Sequence, residues 1–317
     1  MNNVLFEDHE HRIATIDTSY LRPHLAASHL IAEGQQAAYV DCGTSHSATH
    51  LIETLKLKQI PIENVKYVIV THVHLDHAGG AGKLMQLLPE AKLVVHPRGA
   101  RHMIDPSILI AGATAVYGEA AFQSHYGEIT PVPEERVIEA GEGDTIDLNG
   151  RTLTFVDTPG HARHHFCIFD EFSHSFFTGD TFGISYREFD TDVGAFIFAT
   201  TTPVQFEPDV WHQSIERLMT WQPNAMFLTH YGKVTNVPEL ADKLHQSIDK
   251  LVEIITSVAD TGDQRHTLLI DTIMSYFLEE LNTHHCPLPK DTCRKMLTMD
   301  AALNAQGLEL WWDKHHK

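Results

Sequence analysis

The chain has 317 residues, and its 42 acidic side chains against 23 lysines and arginines give a formal net charge of −19. Broad binding of nucleic acid is not expected from so acidic a chain, because phosphates require a basic surface. The opening MNNVLFEDHE has no apolar segment, and no stretch reaches the roughly 18 apolar residues of a membrane span.

The four cysteines form no C-x-x-C pair, which is typical of reduced thiols in a cytosolic protein. Cys286 and Cys293 lie close in sequence and are still expected to be unpaired. The sequence therefore predicts an unexported, cytoplasmic protein without a membrane partner.

The first predicted elements lead to a histidine-rich loop. Apolar runs predict strands near residues 12–16, 28–31 and 37–40, then a helix over 48–57. The run VKYVIV at 65–70 is β-branched and continuous, which indicates a strand covered on both faces of its sheet.

The run THVHLDHAGG follows this strand at residues 71–80. Residues two apart in an extended chain face the same side, so His72 and His74 are expected to converge. Asp76 and His77 come where the chain should turn, before a glycine-rich stretch and a predicted helix over 83–88. Four metal-binding side chains within six residues predict a metal site.

Further candidate ligands follow later strands. Strands are predicted over 93–95, 137–140, 145–148 and 151–156, whereas residues 104–126 are expected to be an irregular insertion near the mouth of the site. His161 follows the strand at 151–156, Asp180 follows a run at 175–178, and His230 follows a run at 225–229. Ligands at several strand ends predict a crevice at the carboxyl edge of an α/β sheet.

The character of the chain changes after His230. From Pro238, apolar residues recur at helical spacing up to Val258, and a second such pattern extends from Leu269 to Leu281. A third helix is expected from Lys290 to about Ala305. This appendage would either roof the metal cleft or form the interface of a homodimer.

The motifs THVHLDHAGG, TPGH, FTGDT and LTHYG together resemble those of the metallo-β-lactamase superfamily, over about residues 10–232. The resemblance implies an αββα sandwich of the α/β class, with a catalytic domain over 1–235 and a helical extension over 236–317. It also implies two metal ions, one held by His72, His74 and His161, the other by Asp76, His77 and His230, with Asp180 bridging them.

Six other residues lie in or near these motifs. Asp41, in the early V-D-C-G run, resembles a carboxylate that supports the ligand loop from behind, although capping a turn is an equal alternative. His165 corresponds to a supporting histidine of the family, and His164 stands where a glycine is usual. Arg163, Tyr186 and Arg187 are expected to be solvated surface residues.

The chemistry that the resemblance implies comes from the ions. Two cations about 3.5 to 4 Å apart lower the pKa of a shared water towards neutrality, giving a hydroxide that attacks a carbonyl or phosphorus. Asp76 would act both as a ligand and as a proton shuttle to the leaving atom. Zinc is favoured by the nitrogen and carboxylate ligands, while iron or manganese would also suit them.

These expectations favour a hydrolase of a small thioester, ester or lactone, whose substrate-binding residues the sequence does not identify. Phosphodiesterase, non-haem diiron redox or oxygen-binding protein, and non-catalytic sensor are the alternatives. The ligand set and helical C-terminus resemble glyoxalase II, but FGISY at 182–186 replaces that family's glycine-rich continuation. Flavodiiron proteins typically have Glu at the position of His74, and secreted β-lactamases of the best-known class have Cys at that of Asp180.

Overall fold

The computed structural model describes residues 5–201, 203 and 205–316. Its contacts divide the chain into two compact units, named here by their main elements. The sheet unit comprises residues 1–157, 164–179 and 223–235, and the helical unit comprises 158–163, 180–222 and 236–317. The chain passes from the sheet unit to the helical unit between Thr235 and Asn236, which is the position of the expected domain boundary. The division into domains 1–235 and 236–317 stays a prediction, because contacts do not show that either part folds alone.

Within the described residues, the sheet unit contains one sheet of seven strands and one of six. The first sheet follows chain order: β1 Phe6–His9, β2 Ile13–Asp17, β3 Ala27–Glu33, β4 Gln36–Val40, β5 Val65–Ile69, β6 Lys92–Val95 and β7 Val137–Glu139. Neighbours are antiparallel up to β4 and parallel from β4 to β7. The carboxyl ends of β4 and β5 therefore share one edge of the sheet.

The second sheet has the order β13-β12-β11-β10-β9-β8. Its strands are β8 Thr145–Leu148, β9 Arg151–Asp157, β10 Phe166–Asp170, β11 Ser175–Gly179, β12 Ala225–Leu228 and β13 Gly232–Val234. Only β11 and β12 are parallel neighbours among these strands as described. Their shared direction brings the ends of β11 and β12 to the same edge.

The sheet unit has six α-helices in the described residues, and two of them lie in a segment that was expected to be irregular. The helices are α1 Ala48–Leu57, α2 Leu75–Ala78, α3 Ala81–Leu87, α4 Pro97–Ile104, α5 Ser107–Tyr117 and α6 Glu119–Tyr126. Residues 104–126, expected to be irregular, are thus mostly helical. Alanines favour helix, and Gly118, at φ +79°, separates α5 from α6.

Strand β5 is buried on both faces, as its sequence predicts. Ile69 joins residues such as Phe155 and Phe177 in a core formed by both sheets. Val68 joins a second core with Leu51 of α1 and other buried helical residues. The predicted buried strand before the histidine loop is therefore confirmed.

The helical unit contains the predicted C-terminal helices. Its helices are α7 Pro208–Met219, α8 Val237–Val258, α9 Arg265–Thr283, α10 Lys290–Met296 and α11 Thr298–His315. The expected third helix is two helices, which break at Leu297. The predicted α/β class with a helical C-terminal region is confirmed, and none of the helices in the described ranges is long and apolar enough to cross a lipid bilayer.

Candidate metal centre

The histidine loop brings His72 and His74 together, although the chain does not stay extended as predicted. Strand β5 ends at Ile69, the backbone bends at Thr71 and His72, and α2 begins at Leu75 after an extended His74. The Nε2 atom of His72 lies 2.8 Å from the Nδ1 atom of His74, while Val73 between them is fully buried in the core. The two imidazoles therefore converge on one side of the loop.

A second group of ligand atoms lies beside the first. The Oδ2 atom of Asp76 is 3.7 Å from Nε2 of His77 and 3.3 Å from Nε2 of His230, which follows β12. Ligand atoms of these three residues all lie within 4.8 Å of one another. The end of β12 thus meets the start of α2.

Asp41 connects these elements from behind. Its buried carboxylate accepts hydrogen bonds from the Thr71 amide at 2.8 Å, from Nδ1 of His77 at 3.2 Å and from the Thr229 hydroxyl. Thr71 and Thr229 directly precede His72 and His230. Asp41 therefore bonds the loops that carry His72, His77 and His230, while its predicted role behind metal ligands stays a prediction.

These contacts also orient the ligand nitrogens. A neutral imidazole has one donor and one acceptor nitrogen. His230 Nδ1 donates to the Leu25 carbonyl at 2.7 Å, and His77 Nδ1 donates to Asp41, so the contacts assign the lone pair of each ring to Nε2. Both Nε2 atoms are the ones nearest to Asp76.

The helical unit holds the other two candidate ligands together. The Nε2 atom of His161 lies 3.2 Å from Oδ2 of Asp180, and both residues are buried. Nδ1 of His161 donates to the Thr200 carbonyl at 3.0 Å, which again leaves Nε2 as the acceptor. His161 therefore has the same tautomer as His77 and His230.

Trp211 of α7 supports this pair. Its ring packs edge-on against His161, with centroids 5.7 Å apart, and its Nε1 donates to the Thr181 carbonyl at 2.7 Å. Gly160 has φ +128°, and a Cβ there would lie 2.5 Å from the Trp211 backbone nitrogen. Glycine is therefore required before His161 for the turn to approach the helix.

The positions of three further residues can be compared with what the sequence predicts for them. His165 is fully buried, with its ring stacked 4.8 Å from that of His72, and its supporting role stays a prediction. His164 accepts a hydrogen bond from the Val73 amide at 3.4 Å, and no motif identified this role. Tyr186 was wrongly expected at the surface: it is buried, and its hydroxyl donates to Asp300 of α11 at 2.9 Å.

The donor set fits a divalent transition-metal ion. Imidazole nitrogens and carboxylate oxygens are the ligands of zinc, iron and manganese sites, and hydrogen bonds to the second ring nitrogen are usual for ligating histidines. Among the candidate ligands, those that belong to the sheet unit are His72, His74, Asp76, His77 and His230, and those that belong to the helical unit are His161 and Asp180.

Comparison with known families and structures gives concordant matches. The model of the Metallo-beta-lactamase superfamily matches residues 21–230. A metallo-beta-lactamase fold-containing protein, ST1585 of Sulfurisphaera tokodaii, is 25% identical over 72% of this chain and 80% of its own length. Its crystal structure matches with a TM-score of 0.58, at 21% identity over 86% of this chain and 93% of that one.

Two more proteins extend this likeness. A metallo-beta-lactamase family protein of Thermus thermophilus, TTHA1429, matches with a TM-score of 0.64 at 17% identity, over 98% of this chain and 92% of that one. The atrochrysone carboxyl ACP thioesterase of Passalora fulva is 22% identical over 80% of this chain. The match covers 64% of that enzyme, less than two thirds of its length.

Proposed function

Since the chain belongs to the metallo-beta-lactamase superfamily, we propose that it is a dinuclear metal-dependent hydrolase that cleaves a small acyl thioester. The main support is the orientation of its histidines: His77, His161 and His230 each use Nδ1 for a hydrogen bond and leave Nε2 for a ligand. Such orientation suits metal ligands rather than core histidines.

In this proposal, seven side chains hold two ions, zinc by preference, with the division that the family implies. The ligands are His72, His74, Asp76, His77, His161, Asp180 and His230. When bound, the ions supply a water that is acidic enough to act as a nucleophile near neutral pH, and they polarise the acyl oxygen.

In this proposal the chain's own residues orient the metal ligands and protonate the leaving group. Asp41 fixes the loops before His72 and His230, so these rings need little reorganisation. Of the two candidate carboxylate ligands, Asp76 has a side chain that is 25% exposed, whereas that of Asp180 is 6% exposed. Asp76 is therefore the carboxylate placed to pass a proton between solvent and the leaving thiolate.

The thioester preference rests on the likeness to the Passalora fulva thioesterase. A thiolate is a better leaving group than most alkoxides, so a thioester needs little more than an activated water and a polarised carbonyl. Oxygen esters and lactones are related substrates that the same chemistry would accept more slowly.

The test combines metal analysis with a substrate panel on the purified protein. We expect about two equivalents of zinc and release of thiol from short acyl thioesters, with little hydrolysis of chromogenic phosphodiesters. Asp180→Ala should reduce turnover to background and lose at least one metal. Asp260→Ala, an exposed loop carboxylate of the same unit, is the matched control and should keep both.

Three results would contradict the proposal. Faster cleavage of phosphodiesters than of thioesters would indicate a phosphodiesterase. Bound iron with oxygen consumption would indicate a redox protein. Unchanged metal content and activity in Asp180→Ala would show that this residue is not a ligand.

A further inference from the structure

Two histidines of the helical unit face each other, and neither belongs to the motifs that carry the candidate ligands. His212 of α7 and His245 of α8 are half-buried, and their Nδ1 atoms are 2.6 Å apart. The rings are nearly parallel, at 16°, and their centroids are 4.8 Å apart. The centroid separation exceeds the Nδ1 separation by roughly two ring radii, so the rings meet edge to edge and the two nitrogens point at each other.

One of these rings is oriented in the manner of a metal ligand. Nε2 of His212 lies 3.1 Å from Oδ1 of Asp249, one turn after His245 on α8. If Nε2 donates this bond, Nδ1 of His212 is an acceptor, and the proton between the rings belongs to His245. Replacing that single proton with a cation would give two nitrogen ligands from two helices.

The surroundings favour a cation at this position. Glu216, Asp242 and Asp249 all act electrostatically on His245, so the pair lies among three carboxylates. Glu216 is one turn from His212, and Asp242 is one turn from His245, so each is on the same helical face as its histidine. Burial and the neighbouring His212 nevertheless lower the pKa of His245, which keeps its ring neutral and able to ligate at neutral pH.

We propose that His212 and His245 form a separate site for a divalent transition-metal ion, with Glu216 or Asp242 as a carboxylate ligand and Asp249 as a positioning residue. Two imidazole nitrogens on a tetrahedral zinc ion lie about 3.3 Å apart, given zinc–nitrogen bonds of about 2.0 to 2.1 Å. The rings must therefore separate by roughly 0.7 Å, which side-chain rotation can provide, since 22% of the His212 side chain and 74% of the Asp249 side chain are exposed.

A metal here would join α7 to α8. Trp211, which supports His161, directly precedes His212 on α7. The site needs no hydrolytic activity, so it stands independently of the proposed function.

The test is zinc titration of the full chain with its resident metals in place, by calorimetry and by metal analysis after equilibrium dialysis. We expect the protein to bind one more Zn²⁺ than His212→Asn/His245→Asn does. Asp249→Asn should bind the same number with tenfold to hundredfold weaker affinity, the usual effect of removing the carboxylate behind a ligating histidine.

The matched control is His315→Asn/His316→Asn, which removes an exposed pair of histidines and should keep the additional equivalent. His245→Asn alone should lose that equivalent and retain its thermal unfolding in the absence of added zinc, which separates loss of a ligand from misfolding. Equal stoichiometry and affinity in the protein and in the His212→Asn/His245→Asn variant would overturn the proposal and show the pair to be a hydrogen bond alone.

Discussion

The two units support their candidate ligands in different ways. In the sheet unit one buried carboxylate, Asp41, receives hydrogen bonds from His77 and from the threonines before His72 and His230. In the helical unit one indole, that of Trp211, packs against His161 and bonds the backbone after Asp180. The first support is electrostatic and the second is largely steric, so charge removal should damage one and loss of volume the other.

Asp41→Asn should have the largest effect. An amide keeps the size of the side chain but adds a donor beside His77 Nδ1 and the Thr229 hydroxyl, so it opposes hydrogen bonds that the carboxylate accepts. We expect roughly hundredfold weaker metal affinity and a loss of ~3 kcal/mol in unfolding free energy.

Metal titration and urea unfolding measure both quantities. Asp17→Asn is a useful control, because this buried carboxylate of the sheet unit accepts hydrogen bonds from the backbone amides of Ser19 and His24. It should lose stability with little change in metal affinity. Equal metal affinity in the unsubstituted protein and in Asp41→Asn would show that Asp41 does not hold the candidate ligands in place.

Trp211→Phe should act on the other unit. Phenylalanine leaves the Thr181 carbonyl without its indole donor and leaves part of the space beside His161 unfilled. The expected cost is ~2 to 3 kcal/mol, from the unpaired acceptor and the cavity.

A steric support would show itself in how the variants rank. Trp211→Ala should be far worse than Trp211→Phe in both unfolding free energy and metal content, because it removes the ring. If the two variants behaved alike, the Nε1 hydrogen bond would be the main support, and the contrast with Asp41 would fail.

The difference between these supports also explains what the sequence could predict. Support of the ligand loop was one of the two roles predicted for Asp41, because this residue follows a predicted strand in a short recognisable motif. Trp211 lies on α7 and bonds a residue 30 positions away, in no motif, so nothing local indicated it. The convergence of His72 and His74 was predictable because they are two residues apart just after a strand, although the backbone between the strand and His74 bends at Thr71 and His72.

Other differences have physical causes of the same kind. Tyr186 was expected at the surface because side chains with polar groups are often exposed in proteins, but its partner Asp300 is 114 residues away on α11. Strand β10, Phe166–Asp170, was not predicted: it directly follows a pair of histidines, which are not typical of a strand. Long-range contacts of this sort are set by the tertiary fold and leave no local pattern.

A buried histidine should make the sheet unit sensitive to acid. His29 donates from Nε2 to the Leu228 carbonyl at 3.1 Å, and its burial lowers its pKa from 6.5 to about 4. The unfolded chain therefore takes up the proton first, so stability is complete above pH 6.5 and is lost as the pH falls towards 4.

Between pH 7 and pH 5 the loss should be ~2 kcal/mol. His29→Gln cannot titrate, so urea unfolding of the two metal-free proteins at both pH values should differ by this amount in its pH dependence. His174→Gln, which replaces a histidine of the same unit whose ring packs edge-on against Phe169, should follow the unsubstituted protein. An equal pH dependence in His29→Gln would show that His29 does not carry the acid sensitivity.

Tyr186→Phe should have the smallest effect and sharpen the comparison most finely. The segment after Asp180 continues to Tyr186, whose hydroxyl bonds Asp300 in the interior of the helical unit. Removing the hydroxyl should cost ~1 kcal/mol and lower the melting temperature by about 1 to 2 °C. Metal content should be unchanged, because the ring keeps its packing against Phe189 and Phe198. Steric support needs the ring and not the hydroxyl, so a Tyr186→Phe protein that loses metal would show that hydrogen bonds, as around Asp41, also govern the helical unit.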